Sequence, residues 1–436
     1  MRLAQVIRDR LPEGSFIKNV LTLMTGTVFA QGLTLIITPV LTRIYTPDDF
    51  GVLGLYISII GICAILCCGR YELAIVLPER NEDASSLVFV SILWTFLFTI
   101  IVIVLINVWG ESVANLFESP TLNSWLWLFP VNVFFYGVFQ TLNYWNTRFK
   151  NYERLATRQI TQSSTTAVAQ LGFGFLTKLG AIGLITGQLI GLFCATSFLI
   201  KKFVAEDYIN VKRSLSMQRL RMVAAKYKKY PVFNMIPSVI DSITVALPIM
   251  FFTKFFDFNI AGQYSLGVRL LYLPASLIGA AVAQVYFQKI AEEYNKTGKI
   301  DIIVRQMFRA LILIAVPFCF VVMVMGPWLF SFFFGSNWRT AGEFCRILAP
   351  AIGLKFAVSP LSGVFGAVNK QDISAIWQVT AFVVTIASLG LSLFFHNAYY
   401  SVSFLMISDL LVYSLYLILI FRVSGVQLKK SVWEAK

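Results

Sequence analysis

The sequence contains a single histidine and little charge of either sign: Asp, Glu, Lys and Arg make up only 13% of its 436 residues. With His396 alone and six scattered cysteines, none of the ligand spacings of zinc, haem or iron–sulfur sites occurs, so no metal or other cofactor is expected. Cys63, Cys67, Cys68, Cys194 and Cys319 lie inside apolar runs, where cysteine behaves as a small hydrophobe, and Cys345 lies near a membrane edge. No disulfide framework is implied. The stretch Met1–Asn19 is charged and broken by Pro12, and it lacks the apolar core and small-residue cleavage site of a signal peptide. It reads as a retained arm, with Leu3, Val6, Ile7 and Leu11 at helical spacing for a short helix on the membrane surface. No GxSxG motif or paired-carboxylate loop is present, and an enzyme is not expected.

What the chain has is hydrocarbon. It is 57% hydrophobic with 39 Phe, and its mean hydropathy is +0.73. Apolar runs of about 20 residues recur from end to end, the signature of an all-α polytopic membrane protein. Twelve spans are predicted, at 20–41, 50–77, 85–108, 122–145, 159–177, 181–200, 232–253, 258–287, 310–334, 347–368, 373–395 and 398–421. With the N-terminus in the cytoplasm, 28 of the 36 Lys and Arg fall on that side, 5 in outer loops and 3 within the membrane. That bias orients the chain with both termini cytoplasmic. The outer loops, such as 109–121, are nearly free of Lys and Arg, whereas 201–231 carries nine. The net charge of +14 therefore reflects topology and attraction to anionic membrane lipids, and no nucleic-acid partner is expected.

The basic segment 201–231 divides the chain into an arm (1–19), a first lobe (20–200), the linker itself, a second lobe (232–421) and a tail (422–436). Six spans on each side is an even number, so both lobes enter the membrane in the same orientation, as a parallel pseudo-twofold repeat requires. Weak echoes support the repeat. Thr46-Pro-Asp-Asp-Phe-Gly51 opens span two as Phe256-Asp-Phe-Asn-Ile-Ala-Gly262 opens span eight, and Gly110 with Leu116-Phe117 matches Gly326 with Leu329-Phe330.

Three cations interrupt the apolar runs: Arg70, Arg269 and Lys355. At about 2.5–3.5 kcal/mol each at a helix centre, three of them facing lipid would cost roughly 9 kcal/mol, so a wet, anion-receiving cavity is expected. Arg70 follows Gly69, Arg269 precedes Pro274, and Lys355 lies between Pro350 and Pro360, each beside a potential helix break where freed N–H groups add to anion binding. Arginine also suits phosphate through its bidentate fork. The alternative is internal pairing with acids. The intramembrane acids are Glu72, Asp241 and Asp409. In an unbroken helix Arg70 and Glu72, two residues apart, point about 200° apart and would not pair, so each is expected to have another partner; Glu72 is counted with the substrate-lining residues. Asp241 and Asp409 are the candidates for ion coupling, through H⁺ or Na⁺, because a buried carboxylate exchanges protons readily. Asp241 could equally neutralise Arg269, and Asp409 could simply hydrogen-bond a neighbouring helix. Trp109, Trp125, Trp127, Trp328 and Trp338 fall near outer span ends, as an interfacial belt would place them.

The opening GTVFAQGLTLIITPVLTRIYTPDDFGVLGLYISI (26–59), the string GRYELAIVLP (69–78) and Gly262-Gln-Tyr-Ser-Leu-Gly-Val-Arg-Leu-Leu-Tyr-Leu-Pro274 resemble the polysaccharide-transporter branch of the multidrug/oligosaccharidyl-lipid/polysaccharide flippase superfamily. The resemblance implies a V-shaped, MATE-like, two-lobed transporter of twelve helices in the bacterial cytoplasmic membrane. It implies that an undecaprenyl-diphosphate-linked oligosaccharide moves by alternating access from the inner to the outer leaflet for O-antigen, capsule or exopolysaccharide assembly. The implied partners are the lipid-linked oligosaccharide, membrane lipids and polysaccharide polymerase machinery. A drug-exporting cation antiporter of the same superfamily is the alternative; a cationic lumen suits an anionic lipid better.

Overall fold

The computed structural model describes residues 16–117, 125–177, 179–208, 211, 216–297, 300–368 and 370–426. The predicted surface helix with Leu3, Val6, Ile7 and Leu11 lies outside the described residues, as does most of the tail. Twelve helices of 20 or more residues are found among the described residues: α1 (Phe16–Ile44), α2 (Pro47–Leu66), α3 (Asn81–Leu116), α4 (Leu128–Arg148), α5 (Tyr152–Leu176), α6 (Ala181–Glu206), α7 (Met235–Phe255), α8 (Phe258–Thr297), α9 (Asp301–Phe334), α10 (Arg339–Val358), α11 (Gln371–Ser392) and α12 (Ala398–Ser424). No strand occurs among the described residues. Nine of the helices are long and apolar enough to cross a membrane, α4, α5 and α8 being the exceptions. Long apolar side chains point outward along them, such as Leu93, Phe96 and Val108 on α3 and Leu313, Phe320 and Phe332 on α9, a surface that water would not tolerate and lipid covers. The chain is an all-α, multi-pass membrane protein.

Contacts divide the chain into two compact units, residues 1–261 and 262–436. In the first, α5 packs between α1 and α6, α3 packs on α4, and α7 runs along α2. Its apolar core gathers Tyr71, Ile75, Leu87, Phe139, Trp145 and Leu199. In the second, α9 packs on α10, and α12 lies against α10 and α11, over a core that includes Tyr286, Val304, Leu361, Phe365 and Tyr416.

Glycine sets the closest approaches. Gly183, Gly187 and Gly191 stand four residues apart on α6. A Cβ at Gly187 would lie 2.5 Å from Gln170 Cγ and 2.9 Å from Gln170 N, and one at Gly191 would strike Thr166. Small residues at this spacing let helix backbones touch, which is how helices associate where lipid offers no hydrophobic drive. Gly326 on α9 and Gly342 on α10 meet in the same way, a Cβ at Gly326 falling 2.8 Å from Gly342 O.

The two echo motifs have a structural basis. Thr46 N-caps α2 in a capping box, Thr46 N donating to Asp49 Oδ2 (2.9 Å) and Asp49 N to Thr46 Oγ1 (3.3 Å). Asp257 does the equivalent for α8, its Oδ1 accepting from Ile260 N at 2.6 Å. Asn259 Nδ2 then donates to Asp48 Oδ2 at 3.1 Å, which ties the start of α8 to the start of α2.

Several predicted boundaries move. Span two, expected over 50–77, ends as a helix at Leu66. Span three extends to Leu116, through much of the expected outer loop 109–121. Span five begins at Tyr152 rather than 159, and α8 and α9 reach Thr297 and back to Asp301. Charged ends hid these extensions, because a helix continuing past the hydrocarbon keeps its hydrogen bonds while its sequence turns polar. The aromatic belt holds in part. Trp109, Trp127 and Trp328 are exposed, but Trp125 and Trp338 are 1% and 0% exposed and pack inside the protein.

Candidate functional site

Arg70 owes its position to a broken helix. After Leu66 the backbone leaves the α-helix, and Gly69 and Arg70 both adopt left-handed conformations, φ 58° and 61°. A short 3-10 turn, Tyr71–Val76, follows. Trp94 of α3 secures the break: its indole Nε1 donates to Leu66 O at 3.0 Å, one of the carbonyls freed at the helix end, and its ring lies so close over Gly69 that a Cβ there would come within 2.8 Å of Cε2. Glycine is required for both its dihedral and its lack of side chain. Arg148 of α4 holds the far end of the turn, donating to Ile75 O (3.3 Å) and Asn81 Oδ1 (2.9 Å).

This break overturns one sequence expectation. Arg70 and Glu72 are not on opposite faces of a continuous helix; the left-handed residue swings them together, with Arg70 Nη1 3.7 Å from Glu72 Oε1. Glu72 is buried, at 2% exposure. The pair is incompletely satisfied, since Arg70 Nε and Glu72 Oε2 are buried without hydrogen-bond partners. Arg70 also stands past the end of the α2 span rather than at its middle.

The sequence reading passed over Arg158. It lies in the second turn of α5, where the predicted span had not yet begun, yet it is only partly exposed. Its Nη2 donates to Asn143 Oδ1 at 3.0 Å, and its guanidinium lies over the Phe139 ring, 4.6 Å from the centroid. Its Nε is buried and unpartnered. Arg158 and the Arg70–Glu72 pair both belong to the first unit. The available signal was the run Arg158-Gln-Ile-Thr-Gln-Ser-Ser-Thr-Thr166, too polar for a lipid-facing helix. Gln159 is tied to α1 by Thr27, whose hydroxyl donates to Gln159 Oε1 at 3.2 Å.

In the second unit, Lys355 and Asp409 are brought together. Lys355 Nζ lies over two aromatic faces, 5.0 Å from the Tyr272 centroid and 5.2 Å from that of Tyr413, an arrangement that holds a desolvated cation through ring quadrupoles. Asp409 interacts with Lys355 and Tyr264 through space, without a direct ion pair to the lysine. Arg269 is exposed, in the middle of α8. Asp241 is exposed on α7 in the first unit. Among the described residues Arg158, Arg269 and Lys355 have no carboxylate within ion-pairing distance. Within each unit taken by itself, these cations are held by rings, amides and turns, a chemistry that suits an anion. No cluster of three or more His, Cys, Asp or Glu fit to hold a metal ion occurs among the described residues.

A family model described as "Polysaccharide biosynthesis protein" matches residues 40–343. The succinoglycan biosynthesis transport protein ExoT of Rhizobium meliloti (strain 1021) is 21% identical over 377 residues, which is 84% of this chain and 71% of that protein. Among solved structures, the lipid II flippase MurJ in an inward closed conformation superposes with a TM-score of 0.74 at 13% identity, covering 92% of this chain and 90% of MurJ. An inward-facing multidrug resistance MATE transporter of the MOP superfamily gives a TM-score of 0.68 at 14% identity, covering 94% and 96% of the two chains. The fold is that of the MATE and MurJ transporters, and with the family match spanning most of its length the chain belongs to the polysaccharide biosynthesis protein family.

Proposed function

We propose that this protein flips a lipid-linked oligosaccharide, carried on undecaprenyl diphosphate, from the inner to the outer leaflet of a bacterial cytoplasmic membrane. The observation that carries the reading is that, among the described residues, Arg158 in the first unit and Arg269 and Lys355 in the second have no carboxylate at ion-pairing distance, and that Arg70 stands in an incompletely satisfied pair. A diphosphate with about two negative charges supplies the counter-charge they lack. Kinship with a succinoglycan transport protein and a fold shared with a lipid II flippase support the same substrate class. Transport would proceed by alternating access, with Asp241 as the coupling carboxylate and Asp409 tuning Lys355. Export of cationic drugs, as in a multidrug antiporter, fits these uncompensated cations poorly.

The test is flipping of a fluorescent undecaprenyl-diphosphate oligosaccharide in proteoliposomes, with surface polysaccharide scored in cells. Each charge-assisted phosphate contact is worth about 1.5–3 kcal/mol, or roughly 10- to 100-fold in substrate affinity. The Arg158→Ala, Arg269→Ala and Lys355→Ala variants should insert normally and lose flipping to that degree. Unimpaired flipping in the triple variant would overturn the proposal.

A further inference from the structure

The basic segment 201–231, which belongs to the first unit, carries a surface that the transport reading leaves unused. Residues Met217–Lys226 form a helix, N-capped by Ser216, whose Oγ accepts from Arg219 N at 3.2 Å. One face is docked. Val223 is 1% exposed within the core of the first unit, Tyr71 OH donates to Ala224 O at 3.4 Å, and Arg219 Nη1 pairs with Glu82 Oε2 at 2.6 Å.

The rest of the segment is unlike a solvated one. Met217 and Met222 on the helix are 66% and 62% exposed, and Val232 and Phe233, at the start of the apolar stretch that follows it, are 56% and 68% exposed. Between them stand Arg221, Lys226, Lys228 and Lys229, all exposed and none with a carboxylate at ion-pairing distance among the described residues. Large apolar side chains interleaved with unpaired cations describe a segment that lies in a membrane interface, with its apolar groups among acyl chains and its cations on phosphates. Its place in the chain agrees. The stretch that is long and apolar enough to cross a membrane and includes α7 begins at Tyr230, and the basic residues come immediately before it.

We infer that residues 217–233 form a binding surface for anionic phospholipid headgroups. A zwitterionic headgroup offers the same phosphate with its charge cancelled, so selectivity for net-negative lipid is the distinguishing property. Because Tyr71 joins this helix to the turn that carries Arg70 and Glu72, lipid held here also bears on that turn.

The experiment titrates full-length protein in detergent with dioleoyl phosphatidylglycerol and, separately, dioleoyl phosphatidylcholine, reading bound lipid by native mass spectrometry at low and raised salt. The wild type should prefer phosphatidylglycerol, with the preference falling as salt rises. Arg221→Gln/Lys226→Gln/Lys228→Gln/Lys229→Gln should lose it by roughly fivefold per cation removed, whereas the charge-conserving exchange of Arg and Lys at the same four positions should keep it. If the fourfold variant does not fold, Lys228→Gln and Lys229→Gln singly give the same readout in smaller steps. Undiminished preference in the Gln variants overturns the inference. So does displacement of the lipid by inorganic pyrophosphate at equimolar concentration, which would assign these cations to a soluble diphosphate. So does self-association abolished by Phe233→Ser with lipid binding unchanged, which would make the face a contact between two copies of the chain.

Discussion

Replacing Arg70 by glycine separates two energies that the structure superimposes on one residue. Arg70 is an L-residue at φ 61°, a conformation that costs about 1–2 kcal/mol and that glycine adopts freely. Its guanidinium also faces a carboxylate that is almost wholly buried, 3.7 Å away, with side-chain exposures of 16% and 3%. At that distance the attraction is about 4 kcal/mol at an effective dielectric of ~20, in line with the roughly 3–5 kcal/mol lost when one member of a buried pair is removed. Arg70→Gly should therefore destabilise by about 2–3 kcal/mol, the pairing loss exceeding the relieved strain. In a unit of this size that is a fall in melting temperature of about 4–9 °C. Arg70→Gly/Glu72→Gln removes the orphaned charge while keeping the relieved backbone, and should return to within about 1 kcal/mol of wild type. Both variants should fail to flip lipid-linked oligosaccharide, so stability and activity part company in the double variant. The assay is thermal unfolding in detergent beside flipping in proteoliposomes. Equal melting temperatures for the single and double variants would refute the buried pair, and a double variant that flips normally would refute the role given to Arg70.

Gly191→Leu should be among the most damaging single changes in the first unit, since its side chain meets Thr166 and the Gln162 carbonyl, 2.9 Å from the Cβ position; loss of folded protein by size-exclusion chromatography is expected, with Gly172→Leu, where nothing lies within 4 Å, as the tolerant control. Trp94→Phe removes the Nε1 bond to Leu66 O and should cost about 0.5–1.5 kcal/mol, measured as a lower melting temperature. Tyr45, between α1 and α2, is buried with its hydroxyl donating to Gln170 O at 2.7 Å, and burial pushes its phenol up to about 12. Because the folded value lies above the ordinary value of 10.0, its contribution is complete below pH ~10 and is lost as pH rises towards ~12. Tyr45→Phe should thus be less stable at neutral pH but flatter in its alkaline melting profile.

The fold was legible because its signal is long and redundant. Long apolar runs that recur from end to end need no atomic detail, and the capping residues Thr46 and Asp257 mark helix starts in sequence. Of the candidate site, the sequence displays only the charges that stand alone in apolar runs, Arg269 and Lys355 among them. Arg158 escaped because it sits in a helix whose first turns read as cytoplasmic loop. The Arg70–Glu72 pair escaped because its geometry depends on two consecutive left-handed residues, and Gly69 announces only the first of them. The α6 glycines, four apart, could have been read as a packing seam from spacing alone. The burial of Trp125 and Trp338 could not, since an interfacial and an interior tryptophan look alike in one dimension.

The polarity of α5 has a consequence for how the protein is made. A segment that opens with Arg154 and Arg158 and continues through Gln159, Gln162 and Gln170 leaves the translocation channel for lipid unfavourably by itself. Its hydroxyls fold back onto its own carbonyls, as Thr161 Oγ1 does to Thr157 O, but its amides need a neighbour, and Gln170 Nε2 finds one in Leu184 O of α6. During synthesis α5 would therefore wait at the channel until α6 emerges, and the two would enter the bilayer as a hairpin. A ribosome stalled between them should leave α5 accessible to water-soluble thiol reagents at an introduced cysteine, and completion of α6 should protect it.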